Sequence, residues 1–199
     1  MCITFGDSIT QLIEKNMRHL KEILLEKKKH ITDLGEDGTY IAAKFSKKSK
    51  DLLKKLATDL EVPNILPREK MHVTIVYSKK AFTNFDIHGK LEKPWKAKVK
   101  DLEIFKTQTG KSALVLRLDC QDLTDRHNYF EKEHGATYDY PEYKIHVTLS
   151  YDVGDDWKIP KTEPSETVPE LELDEEYYEA LSLDWAGKDK DKKDDDKEY

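Results

Sequence analysis

Apolar residues recur three and four apart through the first part of the chain, at Ile9, Leu12, Ile13, Met17, Leu20 and Leu24, with Ile31 in phase two turns on. That spacing predicts an amphipathic helix over residues 7–34. Ser8 and Gln11 supply a capping box at its start, and Gly35 and Gly38 punctuate its end. Such a stripe suits packing on the body of the protein; an arm for homo-oligomer formation is the alternative. Beyond Gly38 the period changes. Thr39–Phe45 reads as a strand, and Ser46 caps a helix running to about Leu60 on the stripe Leu52, Leu53, Leu56 and Leu60. Pro63 and Pro67 bound a loop, and Met71–Tyr77 alternates as a strand. Residues 97–106 and 112–118 predict a hairpin turning near Gln108-Thr109-Gly110. Asp122–Glu133 reads as a second helix closed by Gly135, Lys144–Tyr151 as a strand, and Leu171–Trp185 as one or two more. Mixed strands and helices in this order indicate an α+β fold.

Two of the predicted strands resemble each other. Met71-His72-Val73-Thr74-Ile75-Val76-Tyr77-Ser78 and Ile145-His146-Val147-Thr148-Leu149-Ser150-Tyr151-Asp152 share His, Val, Thr and Tyr at the same four positions. In a strand, residues i and i+2 face one side. His72 projects with Thr74, and His146 with Thr148, while Val73, Ile75, Val147 and Leu149 face a core. By the same parity Tyr77 and Tyr151 face away from the histidines.

A single strand histidine beside a threonine is usually a satisfied buried pair. Its repetition in two parallel contexts points to chemistry. Histidine serves as base or acid near neutral pH, and two of them flanking one phosphorus supply both roles. The threonine hydroxyls donate to non-bridging oxygens, where charge builds up. No metal is required by this arrangement. A zinc site needs more ligands than the pair offers. His127, Glu131 and His134 share a helix face at metal-like spacing, but an exposed helix face is the preferred reading.

The chain has 199 residues, enough for one domain with terminal extensions. Hydrophobic residues make up 37% and charged residues 37%, a polarity that leaves part of the chain as solvated tail. The expected organisation is an N-terminal helical extension over 1–36, a domain over 37–185 and a charged, disordered tail over 186–199. No apolar run reaches membrane-spanning length and no signal-peptide core opens the chain, so a soluble intracellular protein is expected. Cys2 and Cys120 read as reduced thiols. The net charge is −6, concentrated in residues 160–184, where nine acids oppose Lys161. That balance argues against a partner such as long nucleic acid, while the remaining, mildly basic body suits a small anion.

Paired His-aliphatic-Thr strands in a chain of this size resemble the two-histidine phosphoesterase superfamily. Over Thr39–Trp185, the blocks TYIAAKFS, PREKMHVTIVYSK, YPEYKIHVTLSYD and YYEALSLDW resemble the phage anti-CBASS phosphodiesterases, which degrade cyclic oligonucleotide immune signals such as cyclic GMP-AMP. The resemblance implies a bilobed fold, two antiparallel sheets with pseudo-twofold symmetry flanked by helices. It also implies a cytoplasmic enzyme of the infected host that evades its defence. It assigns His72, Thr74, His146 and Thr148 to catalysis, and Tyr40, Glu179 and Trp185 to the nucleotide. It implies no cofactor. Two other functions fit the same residues: an RNA-end 2′,3′-cyclic phosphodiesterase, and a protein that sequesters cyclic nucleotides without cutting them.

Overall fold

A computed structural model describes residues 29–31, 38–107, 109–161 and 163–181. The elements are β1 (Lys29–Ile31), β2 (Thr39–Phe45), α1 (Lys47–Asp59), β3 (His72–Ser78), β4 (Phe85–Ile87), β5 (Gly89–Lys106), β6 (Ser112–Asp119), α2 (Gln121–His134), β7 (His146–Ser150), α3 (Pro164–Thr167) and β8 (Glu170–Ala180). The fold is α+β. Ser46 starts α1 as expected, its hydroxyl accepting from the Ser49 amide at 3.2 Å. Gly135 ends α2 with φ 62°, the left-handed turn that suits glycine.

All pairings in the main sheet are antiparallel, in the order β3-β2-β8-β5-β6-β7. The two halves expected as separate sheets are joined here into one. The link is β5, whose 18 residues pair with β8 along Gly89–Lys98 and with β6 along Lys98–Lys106. The halves repeat the same unit: β2-α1-β3 in one and β6-α2-β7 in the other. Equivalent positions are Lys44 and Arg117 opposite His72 and His146, and Ala42 and Val115 opposite Thr74 and Thr148.

β3 and β7 are the sheet's two edges, and the segment leading into each one satisfies the other. Tyr143, just before β7, donates its hydroxyl to the Thr74 carbonyl at 2.8 Å. Leu66, before β3, donates its amide to the Leu149 carbonyl at 2.8 Å. Edge groups that would otherwise template foreign pairing are thereby used internally.

One face of the sheet and the helices enclose the core. Ile41, Phe45, Val73, Ile75, Leu114, Leu116, Val147, Leu149, Leu171 and Leu173 meet Leu53 and Leu56 of α1 and Leu123 and Phe130 of α2, all nearly fully buried. Each such large side chain contributes about 1.5–3 kcal/mol. The opposite face carries the half-buried polar residues.

The helix expected over 7–34 does not extend to Ile31. Residues 29–31 form β1, paired antiparallel with β4, and Ile31 is buried. Its carbonyl accepts the Asn84 amide at 3.0 Å, so this segment hydrogen-bonds as a strand. The rest of that helix, the proposed arm for self-association and the charged tail lie outside the described residues. Leu171 onward supplies one strand, β8. Among the described residues, no helix is long and apolar enough to cross a membrane.

Candidate active site

The two His-Val-Thr strands carry the same irregularity. In β3 the register passes from Val76 opposite Ile41 to Thr74 opposite Ala42, leaving Ile75 extra. In β7 it passes from Ser150 opposite Leu114 to Thr148 opposite Val115, leaving Leu149 extra. Each is a β-bulge, which inserts one residue and flips the parity beyond it. Burial follows: His72, Thr74 and Tyr77 are half-buried, while Val73, Ile75 and Val76 are buried. Tyr77 therefore shares the histidine face, contrary to simple alternation, and meets Tyr40 edge-on at 6.4 Å between ring centroids. Tyr151 follows the equivalent bulge, one residue past the end of β7, and is 54% exposed.

Both bulges have their extra carbonyl satisfied. Leu149 receives the Leu66 amide, and Ile75 receives the Nδ1–H of His127 at 2.7 Å. His127 is buried and stacks on Tyr143 at 3.9 Å, and His134 stacks on Phe82 at 5.4 Å. His127, Glu131 and His134 thus do not form the exposed helix face expected from spacing. The apolar core under α2 draws both imidazoles inward.

The two motif histidines are held alike. Nδ1 of His72 lies 2.8 Å from the Lys70 carbonyl, and Nδ1 of His146 lies 2.7 Å from the Lys144 carbonyl. A carbonyl only accepts, so each Nδ1 carries the hydrogen and each Nε2 keeps its lone pair. Burial lowers the pKa of both rings, partly offset by the backbone bonds and by Glu179 for His72 and Glu103 for His146. Charge on His72 also disfavours charge on His146. Burial thus favours the neutral form of both rings, and their mutual repulsion disfavours the state in which both are protonated.

Tyr40, from β2, lies between these groups. Its hydroxyl is 2.7 Å from His72 Nε2 and 3.1 Å from Thr74 Oγ1. Glu179 pairs with Tyr40 across β2 and β8; it is exposed, and its charge reaches both Tyr40 and His72. Trp185 lies outside the described residues.

The structure adds neighbours that sequence reading missed. Tyr177 packs edge-on against both Tyr40 and His72, at 6.4 and 6.5 Å. Phe105 does the same to His146 at 5.1 Å. Lys44 lies opposite His72, with Nζ 2.8 Å from Glu175 and 4.6 Å over the Tyr177 ring. Arg117 lies opposite His146, 3.0 Å from Glu103 and 3.6 Å from Asp101, and Glu103 also binds Lys144 at 3.3 Å. Tyr177 sits two residues from Glu179 on β8, so shared strand parity was the signal for it.

These features define an α+β protein whose two edge strands, in contact with each other, carry equivalent His-x-Thr sequences. The chain belongs to a phage-associated family: the model described as Anti-CBASS protein Acb1 matches residues 37–188. The Anti-CBASS protein Acb1 of Enterobacteria phage T4 is 44% identical over 149 residues, 75% of this chain and 91% of that protein. That of Yersinia phage phiR1-RT is 41% identical over 155 residues, 77% of this chain and 95% of its own length. Among solved structures, Escherichia coli LigT complexed with phosphate has a TM-score of 0.47 at 11% identity, over 73% of this chain and 94% of that one.

Proposed function

We propose that this protein is a metal-independent phosphodiesterase that opens 3′-5′ linkages of cyclic di- or trinucleotide signals, and so disarms a host defence in the cytoplasm of the infected cell. The carrying observation is the pair of equivalent imidazoles, each with Nδ1–H tied to the backbone and Nε2 left as a lone pair on the same face. Family membership supports the substrate class.

In this mechanism one histidine takes the proton of a ribose 2′-hydroxyl. The freed oxygen attacks the adjacent phosphorus and the bond to the 5′-oxygen breaks. The other histidine gives that oxygen its proton, leaving a 2′,3′-cyclic phosphate and a 5′-hydroxyl. Each proton transfer accounts for about 10²–10⁴ in rate. Thr74 and Thr148 donate to the non-bridging oxygens, each worth about 10²–10³. Repulsion between the rings disfavours the doubly protonated state, which would leave no base. Tyr40, Glu179 and Trp185 hold the nucleotide.

The test is incubation with 3′,3′-cyclic GMP-AMP in excess chelator, beside His72→Ala and His146→Ala, with products resolved by chromatography and mass. Linear products from the wild type, absent with both variants, are expected. Turnover that needs added metal, or ready cleavage of a 2′-deoxy analogue, contradicts the mechanism. Ligand that binds and returns intact points to sequestration.

A further inference from the structure

We infer that Tyr151 is a base-stacking platform of this site, serving the second half as Tyr40 serves the first. The inference rests on the proposed action on cyclic oligonucleotides and adds a second nucleobase subsite to it.

His-Val-Thr is followed three residues after the threonine by tyrosine in both strands. Strict alternation would send that tyrosine to the opposite face. The bulges at Ile75 and Leu149 bring it back, so the first, third and sixth residues of each motif share one face. The same device is thus built twice: in β3 it aims the Tyr77 ring at Tyr40, and in β7 it sets the departure of Tyr151, the residue just past the strand.

The two tyrosines meet different surroundings. Tyr77 lies opposite Tyr40 in the strand register, is half-buried and packs edge-on against it. In the second half the position equivalent to Tyr40 is Ala113, one residue before Leu114, which pairs with Ser150. No tyrosine ring stands there to cover Tyr151. Its side chain is left 54% exposed. Tyr151 follows directly on the edge strand that carries His146 and Thr148, and it acts electrostatically on Tyr40.

An exposed aromatic ring next to a strand that carries a site histidine and threonine suits one ligand chemistry. A nucleobase stacks on such a ring whatever its hydrogen-bonding edge. A cyclic dinucleotide presents a base on each side of its phosphates. Tyr40 on β2 and Tyr151 just past β7 belong to opposite halves of the repeat, one for each base.

The test compares Tyr151→Ala and Tyr151→Phe with wild type on 3′,3′-cyclic GMP-AMP. Loss of one stacking partner raises KM between about five- and one-hundred-fold, with kcat retained, in Tyr151→Ala. Tyr151→Phe keeps the ring and the wild-type KM. Calorimetric titration of the same ligand onto His72→Ala, with and without Tyr151→Ala, reads the platform without turnover and shows the same loss of affinity. If wild type fails to turn over but Tyr151→Ala still weakens binding, the phosphodiesterase reading falls and the platform stands. Wild-type KM and affinity in Tyr151→Ala, or a fall in kcat at unchanged KM, overturns the platform alone. Absence of any binding to His72→Ala overturns it as well.

Discussion

The Tyr40 hydroxyl lies 2.7 Å from Nε2 of His72 and so occupies the hydrogen-bonding position a phosphate oxygen would take. Because His72 Nε2 holds a lone pair, the phenol donates to it. Tyr40 is mostly buried, and that burial raises its pKa, so it stays neutral. The ring and the hydroxyl have separable roles. Tyr40→Phe keeps the ring contacts and loses the hydroxyl's two neutral hydrogen bonds, to His72 and Thr74, a change of up to about a hundredfold in kcat/KM. Tyr40→Ala also removes the ring and costs more, mainly in KM. Steady-state kinetics on the cyclic dinucleotide separates the two; equal losses would show that only the hydroxyl matters.

Lys44 and Arg117 form the next equivalent pair, one opposite each histidine and each held by a carboxylate from the adjoining strand. Their side chains are 38% and 27% exposed, so solvent screens them. A partly screened cation beside a phosphate contributes near the lower end for charged hydrogen bonds, and Lys44→Met or Arg117→Met lowers kcat/KM by about tenfold. The loss shrinks as salt rises. Kinetics across a salt series checks this; a loss that ignores salt would point to packing instead.

His127 holds the bulge that aims Tyr77. Its Nδ1–H is the donor to the extra carbonyl of Ile75 in a buried setting. His127→Phe preserves a flat ring for the stack on Tyr143 but strands that carbonyl, at about 1–3 kcal/mol. Urea unfolding measures the loss. An unchanged midpoint would mean that the carbonyl finds another donor.

How much of this was legible in the sequence depends on the kind of signal. The paired strands were readable because alternation exposes His and Thr while burying Val and Ile. Ser46 and Gly135 marked helix ends by local chemistry alone. A bulge leaves no such mark: Ile75-Val76 are both apolar and both buried, so the extra residue hides within the hydrophobic run. Tyr77 was consequently assigned to the wrong face. The start of β5, residues 89–96, is rich in charge and contains Pro94, which cannot donate to a ladder. It is a strand because β8 pairs with it, a long-range fact absent from local pattern. Lys44 and Arg117 were likewise invisible as neighbours of the histidines until the register was known.

Arg126 and Glu176 tie α2 to β8 beneath the site. Glu176 is 1% exposed, and its carboxylate receives Arg126 at 2.7 and 3.1 Å and the His88 amide at 2.8 Å. Arg126 also binds the Asp86 carbonyl, fastening β4. Removing either partner leaves a buried charge unpaired, at about 3–5 kcal/mol. Arg126→Met therefore lowers Tm by about 6–20 °C for a chain of this size. Arg126→Met with Glu176→Leu loses less than the sum of the single changes, because no lone charge remains. Thermal melts of the singles and the double test this, and strict additivity would contradict it.

The histidines also set a pH dependence of stability. Burial holds the folded pKa of His72, His146 and His134 below the ordinary value near 6.5. As pH falls through that ordinary value the unfolded chain binds protons that the folded chain refuses. Stability is therefore full above about pH 6.5 and is lost as pH drops through the depressed folded values. Glu69 and Glu103, whose pKa values are lowered by Arg68 and Arg117, take over only below the usual carboxylate range. Between about pH 8 and about pH 5 the imidazoles dominate. His72→Asn with His146→Asn removes two of the three groups, so its Tm falls less over that window than the wild type's. Parallel melting curves for the two proteins would show that the site histidines carry no proton linkage.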